Sequence, residues 1–408
     1  MAIIPYSKQK INSADIDAVC QTLGSDFITQ GPKIEEFERA LADYCKSKYA
    51  VAVSNGSAAL HLAALAIGLR PGAEVITTPI TFLATANAAI YAGTTPVFAD
   101  IDYDTVNIDP QSIKNLITKR TKAIFPVDFA GLPADMSQIF EMAKRRGLKV
   151  VEDASHALGS QYGRKKVGSC QFSDMTTFSF HPVKHITTGE GGCITTNSKV
   201  YYEKLKALRS HGVYRTPAAQ RKFGKWYYEM KDLGFNYRIT DFQCALGLSQ
   251  LQKLDEFIKQ RSRIAQQYNE AFSELDDYLK IPAQKIAPDK QYVWHLYLLR
   301  IKLEKPGSIR RRLFEYLWAN EIHAQVHYIP IYKQPFYQKL FSNKIIRCPN
   351  AERYYEEVLS LPLFPTLTND EVMRTIAAVK DFFKNSPLVG QRYQKGRRAI
   401  SHLAGEQA

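Results

Sequence analysis

No run of about eighteen consecutive apolar residues occurs in the 408-residue sequence, so a membrane-spanning helix is not expected. The opening residues from Met1 to Lys8 lack a basic stretch followed by a long apolar run, and a cytoplasmic location is expected. Cysteine is sparse. Cys20, Cys45, Cys170, Cys193, Cys244 and Cys348 stand singly, with no Cys-x-x-Cys pair to build a metal site or a redox dithiol. They read as small buried hydrophobes, and no metal centre is expected. Glycine and proline are dispersed and no internal repeat is visible, so disorder is not the theme. Acidic residues are outnumbered, 40 against 54 basic, giving a formal charge of +14. Such a charge fits nucleic acid, an acidic membrane surface or an anionic substrate. Much of it falls in residues 204–231, in Arg310-Arg311-Arg312, and at Arg392, Lys395, Arg397 and Arg398. Charge runs of this kind are usually solvated faces, and no nucleic-acid motif accompanies them. Neither a nucleic-acid partner nor membrane insertion is expected.

Against these absences, 45% of the residues are hydrophobic and 23% charged, ordinary for a globular chain long enough for two domains. Short runs rich in β-branched residues recur at 49–53, 75–78, 96–100, 123–127, 149–153, 176–180 and 193–196. Helical spacing of Ala, Leu, Ile or Met fills 57–67, 82–91 and 136–146 between them. Strands alternating with helices predict an α/β fold with a mainly parallel sheet covered on both faces. One long helical stretch, 241–275, is expected to link this unit to a smaller α+β one, with a strand at 292–301, helices around 308–320 and 370–384, and a loop at 328–335. The division expected is a large domain at 1–250 that includes an N-terminal substrate segment, a small domain at 251–385, and a basic mobile tail at 386–408.

Three segments carry chemistry. In Asn55-Gly56-Ser57-Ala58 a strand runs into a small-residue turn and then a helix, where free N–H groups, the helix dipole and the Ser57 hydroxyl favour a phosphate. Such a junction is as often an ordinary N-cap. Asp153 ends the strand 149–153, at the edge where parallel sheets place ligands, and a carboxylate buried there needs a cation or a structural role as a cap. Lys184 follows an apolar strand in Ser179-Phe180-His181-Pro182-Val183-Lys184 and precedes the turn Gly189-Glu190-Gly191-Gly192. Partial desolvation there lowers an amine's pKa and frees it for a Schiff base, whereas most lysines are simply exposed.

These motifs, in this order, resemble the sugar aminotransferases of the DegT/DnrJ/EryC1/StrS family. The likeness covers nearly the whole chain, from Tyr6 and Ile28-Thr29-Gln30-Gly31-Pro32, through Glu152-Asp153-Ala154-Ser155-His156 and Gly234-Phe235-Asn236-Tyr237-Arg238, to Val326-His327-Tyr328-Ile329-Pro330. The resemblance implies the fold-type-I, aspartate-aminotransferase-like architecture, pyridoxal 5'-phosphate (PLP) as cofactor, and a homodimer with shared active sites. Carried over residue by residue, Lys184 matches the lysine that binds the cofactor covalently, and Asp153 matches the partner of its ring nitrogen. His156 falls near the ring hydroxyl and Phe82 matches the stacked aromatic. Gly56, Ser57, Ala58 and Ser179 match phosphate contacts, and Asn236 matches a phosphate ligand donated by the other subunit. Tyr6, Phe27, Ile28, Thr29, His327 and Tyr328 fall where the sugar nucleotide is expected. Two departures stand out. Ser57-Ala58 replaces the commoner Thr-Ser pair, a conservative change, and the tail after Ser386 matches no motif.

Within the family, the stretch from Ala324 to Tyr332 looks most like members that aminate C4 of a UDP-linked 4-keto-6-deoxy-N-acetyl-hexosamine. Glutamate is the expected amino donor, and the product is UDP-4-amino-4,6-dideoxy-N-acetyl-β-L-altrosamine, of pseudaminic acid biosynthesis. Another nucleotide-linked 4-keto sugar is the nearest alternative. A PLP-dependent sugar dehydratase, which the resemblance associates with a His in place of the lysine, is disfavoured by Lys184. A non-catalytic regulator is disfavoured by Lys184, Asp153, Ser179 and Asn236 together.

Overall fold

The computed structural model describes residues 2–282, 289–342 and 345–385. The seven β-branched runs form one sheet: β1 (Tyr49–Val53), β2 (Glu74–Thr77), β3 (Thr95–Phe98), β4 (Thr121–Phe125), β5 (Lys149–Asp153), β6 (Met175–Ser179) and β7 (Gly192–Thr196), in the order β1-β7-β6-β5-β4-β2-β3. The neighbours from β3 through β6 pair in parallel. Only β7 runs against them, pairing antiparallel with both β6 and β1. The sheet is therefore mainly parallel, and its strands are buried almost throughout, as a sheet covered on both faces requires.

Helices α1 (Ser13–Leu23) and α2 (Pro32–Cys45) precede the sheet, and α3 (Gly56–Ala66) follows β1 directly. Nine of α3's eleven residues are buried, because its run of Ala and Leu packs on β6 and β7. Helix α4 (Leu83–Tyr91) packs beside it.

The expected single helix at 241–275 is two, α5 (Asp241–Leu251) and α6 (Leu254–Phe272). The break at Gln252-Lys253 turns the second helix so that Leu254, Phe257 and Ile258 join the core beside the sheet. It also sends the Lys253 ammonium to Asp15 (2.5 Å) on α1 and to Asn12 (2.9 Å), the N-cap of that helix. Further along, Ile264, Tyr268 and Phe272 of α6 enter a second core built around a small antiparallel sheet: β8 (Leu279–Lys280), β9 (Tyr297–Ile301) and β10 (Val358–Leu361), in the order β8-β9-β10. Helix α6 thus spans both cores. The strand expected at 292–301 is shorter, since Trp294 takes a left-handed conformation (φ 48°) and regular pairing begins only at Tyr297.

The N-terminal segment crosses to this second core. Ile4 donates to Glu321 O and accepts from His323 N, and Tyr6 O accepts from Leu363 N (3.0 Å). Of the cysteines, Cys20 is exposed on α1 rather than buried, while Cys45, Cys193, Cys244 and Cys348 are buried. Among the described residues no helix is long and apolar enough to cross a membrane, and no cluster of His, Cys, Asp or Glu is arranged to hold a metal. The tail 386–408 lies outside the described residues.

Candidate active site

The carboxyl ends of β5 and β6, the start of α3 and the segment around His327 enclose a cavity of about 640 Å³. Lys184, Asp153, His156, Gly56, Ser57, Phe82, Ser179, Tyr6, His327 and Tyr328 all border it. Ten of the positions singled out from sequence, scattered over more than 300 residues, are thus brought to one place.

Asp153 is buried, and both its oxygens are held. One accepts from the Ser155 backbone (3.1 Å) and hydroxyl (2.6 Å), the other from the Thr85 hydroxyl (2.7 Å). Thr85 in turn lies 3.0 Å from the Thr81 hydroxyl. No cation pairs with Asp153 among the described residues, so a fixed anion faces the cavity, suited to a cationic ring nitrogen.

Lys184 is partly open to the cavity as a residue, but its amine is surrounded by protein. Burial lowers its pKa to about 8, Asp153 acting against that fall and Arg261 with it. Its backbone N–H donates to His181 O (2.9 Å).

Beside it, His156 is buried and its pKa falls well below the ordinary value, through burial first and then the charge of Lys184. The Ala130 N–H donates to His156 Nδ1 (3.3 Å), which leaves Nε2 as the protonated nitrogen of the neutral ring. His156 lies 4.2 Å from the ring of His295 and 6.4 Å from that of Tyr328, at which the planes are nearly parallel. His327 is pushed down to about 3 by burial and pairs through Nδ1 with Ser360 Oγ (2.8 Å), while its ring sits 5.7 Å from that of Tyr6.

The α3 junction serves as an N-cap and offers an anion seat at once. Asn55 Oδ1 accepts from Ala58 N (2.8 Å), so the Ala58 N–H is already used and leaves the phosphate role to its neighbours. The N–H groups of Gly56 and Ser57 have no partner among the described residues and open on the same cavity as Ser179. A Cβ on Gly56 would lie 2.8 Å from Ser179 Cβ, which shows how closely the helix start approaches β6. Free donors, a fixed carboxylate, a low-pKa amine and the exposed Phe82 ring together fit PLP.

Five expected positions do not border the cavity, Ala58 among them, its N–H being taken by the N-cap. Asn236 is exposed and bridges Ser210, away from this chain's own cavity. Phe27 and Ile28, about half exposed, and Thr29 do not border the cavity either. Their loop is clamped to the start of α5, where Asp241 accepts from Gly31 N (2.8 Å) and Lys33 N (2.9 Å). Conversely, sequence reasoning missed Thr85 and Ser155, which hold Asp153, and the buried His185, His295 and Arg261 around Lys184. The i,i+4 spacing of Thr81 and Thr85 was a legible signal, whereas nothing in the sequence marks Arg261 as buried.

The chain matches the model of the DegT/DnrJ/EryC1/StrS aminotransferase family over residues 9–380. It is 41% identical over 363 residues, 88% of this chain and 92% of the relative, to the UDP-4-amino-4,6-dideoxy-N-acetyl-beta-L-altrosamine transaminase of Campylobacter jejuni. It is also 41% identical over 387 residues, 94% of this chain and 98% of the relative, to the spore coat polysaccharide biosynthesis protein SpsC of Bacillus subtilis. Among solved structures, Helicobacter pylori PseC, described as an aminotransferase involved in the biosynthesis of pseudoaminic acid, is similar with a TM-score of 0.86 and 35% identity, covering 94% of this chain and all of that one.

Proposed function

Since this chain belongs to the DegT/DnrJ/EryC1/StrS aminotransferase family and shares its fold-type-I architecture, we propose that it uses PLP to move an amino group from glutamate to C4 of a UDP-linked 4-keto-6-deoxy-N-acetyl-hexosamine. The product is UDP-4-amino-4,6-dideoxy-N-acetyl-β-L-altrosamine. The observation that carries the PLP reading is the pairing, in one cavity, of the low-pKa amine of Lys184 with the doubly held carboxylate of Asp153. The sugar is supported by the likeness to the Campylobacter jejuni and Helicobacter pylori proteins.

When bound, the cofactor supplies an aldehyde that captures amines and a cationic ring that takes up electron density. Asp153, fixed by Thr85 and Ser155, keeps a negative charge opposite the ring nitrogen. Gly56 and Ser57 N–H groups, with the Ser57 and Ser179 hydroxyls, receive the phosphate. His156 presents its Nε2–H as a donor to an oxygen at the ring. Lys184 Nζ would take the proton from the α-carbon of glutamate in the first half-reaction, water then supplying the oxygen of 2-oxoglutarate while the amino group is retained. It would deliver a proton to the sugar C4 in the second, where that amino group replaces the keto oxygen, which leaves as water. Tyr6, His327 and Tyr328 line the side on which the sugar enters.

The working unit in this reading is a homodimer. Asn236 completes the phosphate cradle of the partner's site, and the loop bearing Phe27, Ile28 and Thr29 adds to sugar-nucleotide binding across the same interface. The basic, aromatic segment 215–231, with Trp226 74% and Tyr228 55% exposed, covers the partner's cavity and meets the diphosphate. The divisions 1–250 and 251–385 act as its large and small domains.

The equal identity to SpsC favours one second reading, amination of another nucleotide-linked 4-keto sugar. Incubating the loaded enzyme with glutamate and a panel of UDP-4-keto-sugars, and reading the C4 configuration of any amine formed by NMR, separates the two. Amination of the 6-deoxy-N-acetyl-hexosamine to the altrosamine is expected, and a product formed only from a different keto sugar moves the assignment to the second reading.

A further inference from the structure

Arg261, on α6, is fully buried, yet no carboxylate pairs with it among the described residues. Its guanidinium donates to three backbone carbonyls from three segments: Leu363 O (2.8 Å), His295 O (3.3 Å) and, at the long limit, Val183 O (3.5 Å). Its Nε has no partner. A buried cation costs several kcal/mol even when hydrogen-bonded, and an apolar side chain there would bury at less cost. The charge also sits where α6 passes from one core to the other, against the carbonyl of the Val183–Lys184 peptide.

We propose that Arg261 is a positioning residue for Lys184: its guanidinium anchors the carbonyl of the Val183–Lys184 peptide and adds an unneutralised positive charge to the surroundings of the lysine. The inference rests on the assignment of Lys184 as the working amine. Burial alone lowers the arginine to about 10, so it stays charged throughout the working range. The titratable groups that border the cavity with Lys184 are Asp153 on β5, His156, His181, Glu190, Tyr6, His327 and Tyr328, and the buried His185 and His295 lie close enough to sense its charge. The buried histidines are all neutral at pH 7, since their pKa values are depressed. Asp153 is the charge that holds the amine's proton on, and Arg261 is the charge that opposes it.

The test uses the cofactor-free protein and limiting acetic anhydride, with mass spectrometry of the Lys184 peptide across pH. In the wild type, labelling should rise with a midpoint near 8. In Arg261→Met and Arg261→Gln, each first shown to melt cooperatively, the midpoint should rise by about half a unit or more, while Arg261→Lys should stay near the wild type. An unchanged midpoint in a folded neutral variant overturns the proposal, as does loss of cooperative melting in both neutral variants, which marks the arginine as purely structural. A wild-type Lys184 that titrates with the exposed lysines overturns the assignment of the amine itself, and the proposal with it.

Discussion

At the residue scale, function rests on a few side chains whose partners fix both their direction and their charge. Lys184→Ala should abolish turnover while leaving the fold intact, checked by steady-state assay beside circular dichroism. Asp153→Asn removes the charge proposed to face the ring nitrogen, at an expected cost of roughly 3–5 kcal/mol for breaking a buried pair. PLP retention measured by dialysis and the rate with glutamate should both collapse, and unchanged values in both would make Asp153 merely structural. Thr85→Val is subtler. It deletes one bond to that carboxylate (2.7 Å), a charge-assisted contact of about 1.5–3 kcal/mol, so PLP should bind at least about tenfold more weakly with the protein still folded. Lys184 and Asp153 were legible because strand, turn and motif point to them in order. Arg261 was not, since an arginine on a helix reads as solvent-facing until the fold buries it, and Thr85 was marked only by its i,i+4 spacing from Thr81.

At the scale of elements, β1 and β5 were placed to the residue and the other five strands of the sheet to within two, because buried parallel strands write continuous β-branched runs. The break between α5 and α6 escaped because no Gly or Pro marks it, and only the tertiary pull of Leu254 and Lys253 shows why the axis turns. The junction of β1 and α3 offers a test of the phosphate seat. Gly56→Ala sets a Cβ at 2.8 Å from Ser179 Cβ, and overpacking of this kind costs about 1–3 kcal/mol. It should weaken PLP retention more than it lowers the melting temperature, and the reverse order would place the strain elsewhere. Neutralising the Lys and Arg residues of 215–231 should raise KM for the sugar nucleotide and leave KM for glutamate unchanged.

For the whole molecule, acid sensitivity follows from histidines buried in their neutral form. His185 and His327 are depressed to about 3, against about 6.5 in the unfolded chain. Below pH 6.5 the unfolded chain therefore binds protons that the folded one refuses, and stability should fall by up to about 2.7 kcal/mol per pH unit from these two until pH 3. Thermal melts between pH 7 and 5 check this, and a flat profile would show that the histidines are not neutral. The proposal of a site shared between two subunits makes its own demand: mixing Lys184→Ala with Asn236→Ala subunits should recover activity that neither homodimer has. The most direct evidence comes from the PLP-loaded wild type, to which glutamate is added while the visible absorption of the cofactor is followed. Bleaching, with release of one 2-oxoglutarate per site and recovery on adding the UDP-4-keto-6-deoxy-N-acetyl-hexosamine, is the predicted result. Absorption that glutamate leaves unchanged, in a protein whose Lys184 carries the cofactor, would contradict it.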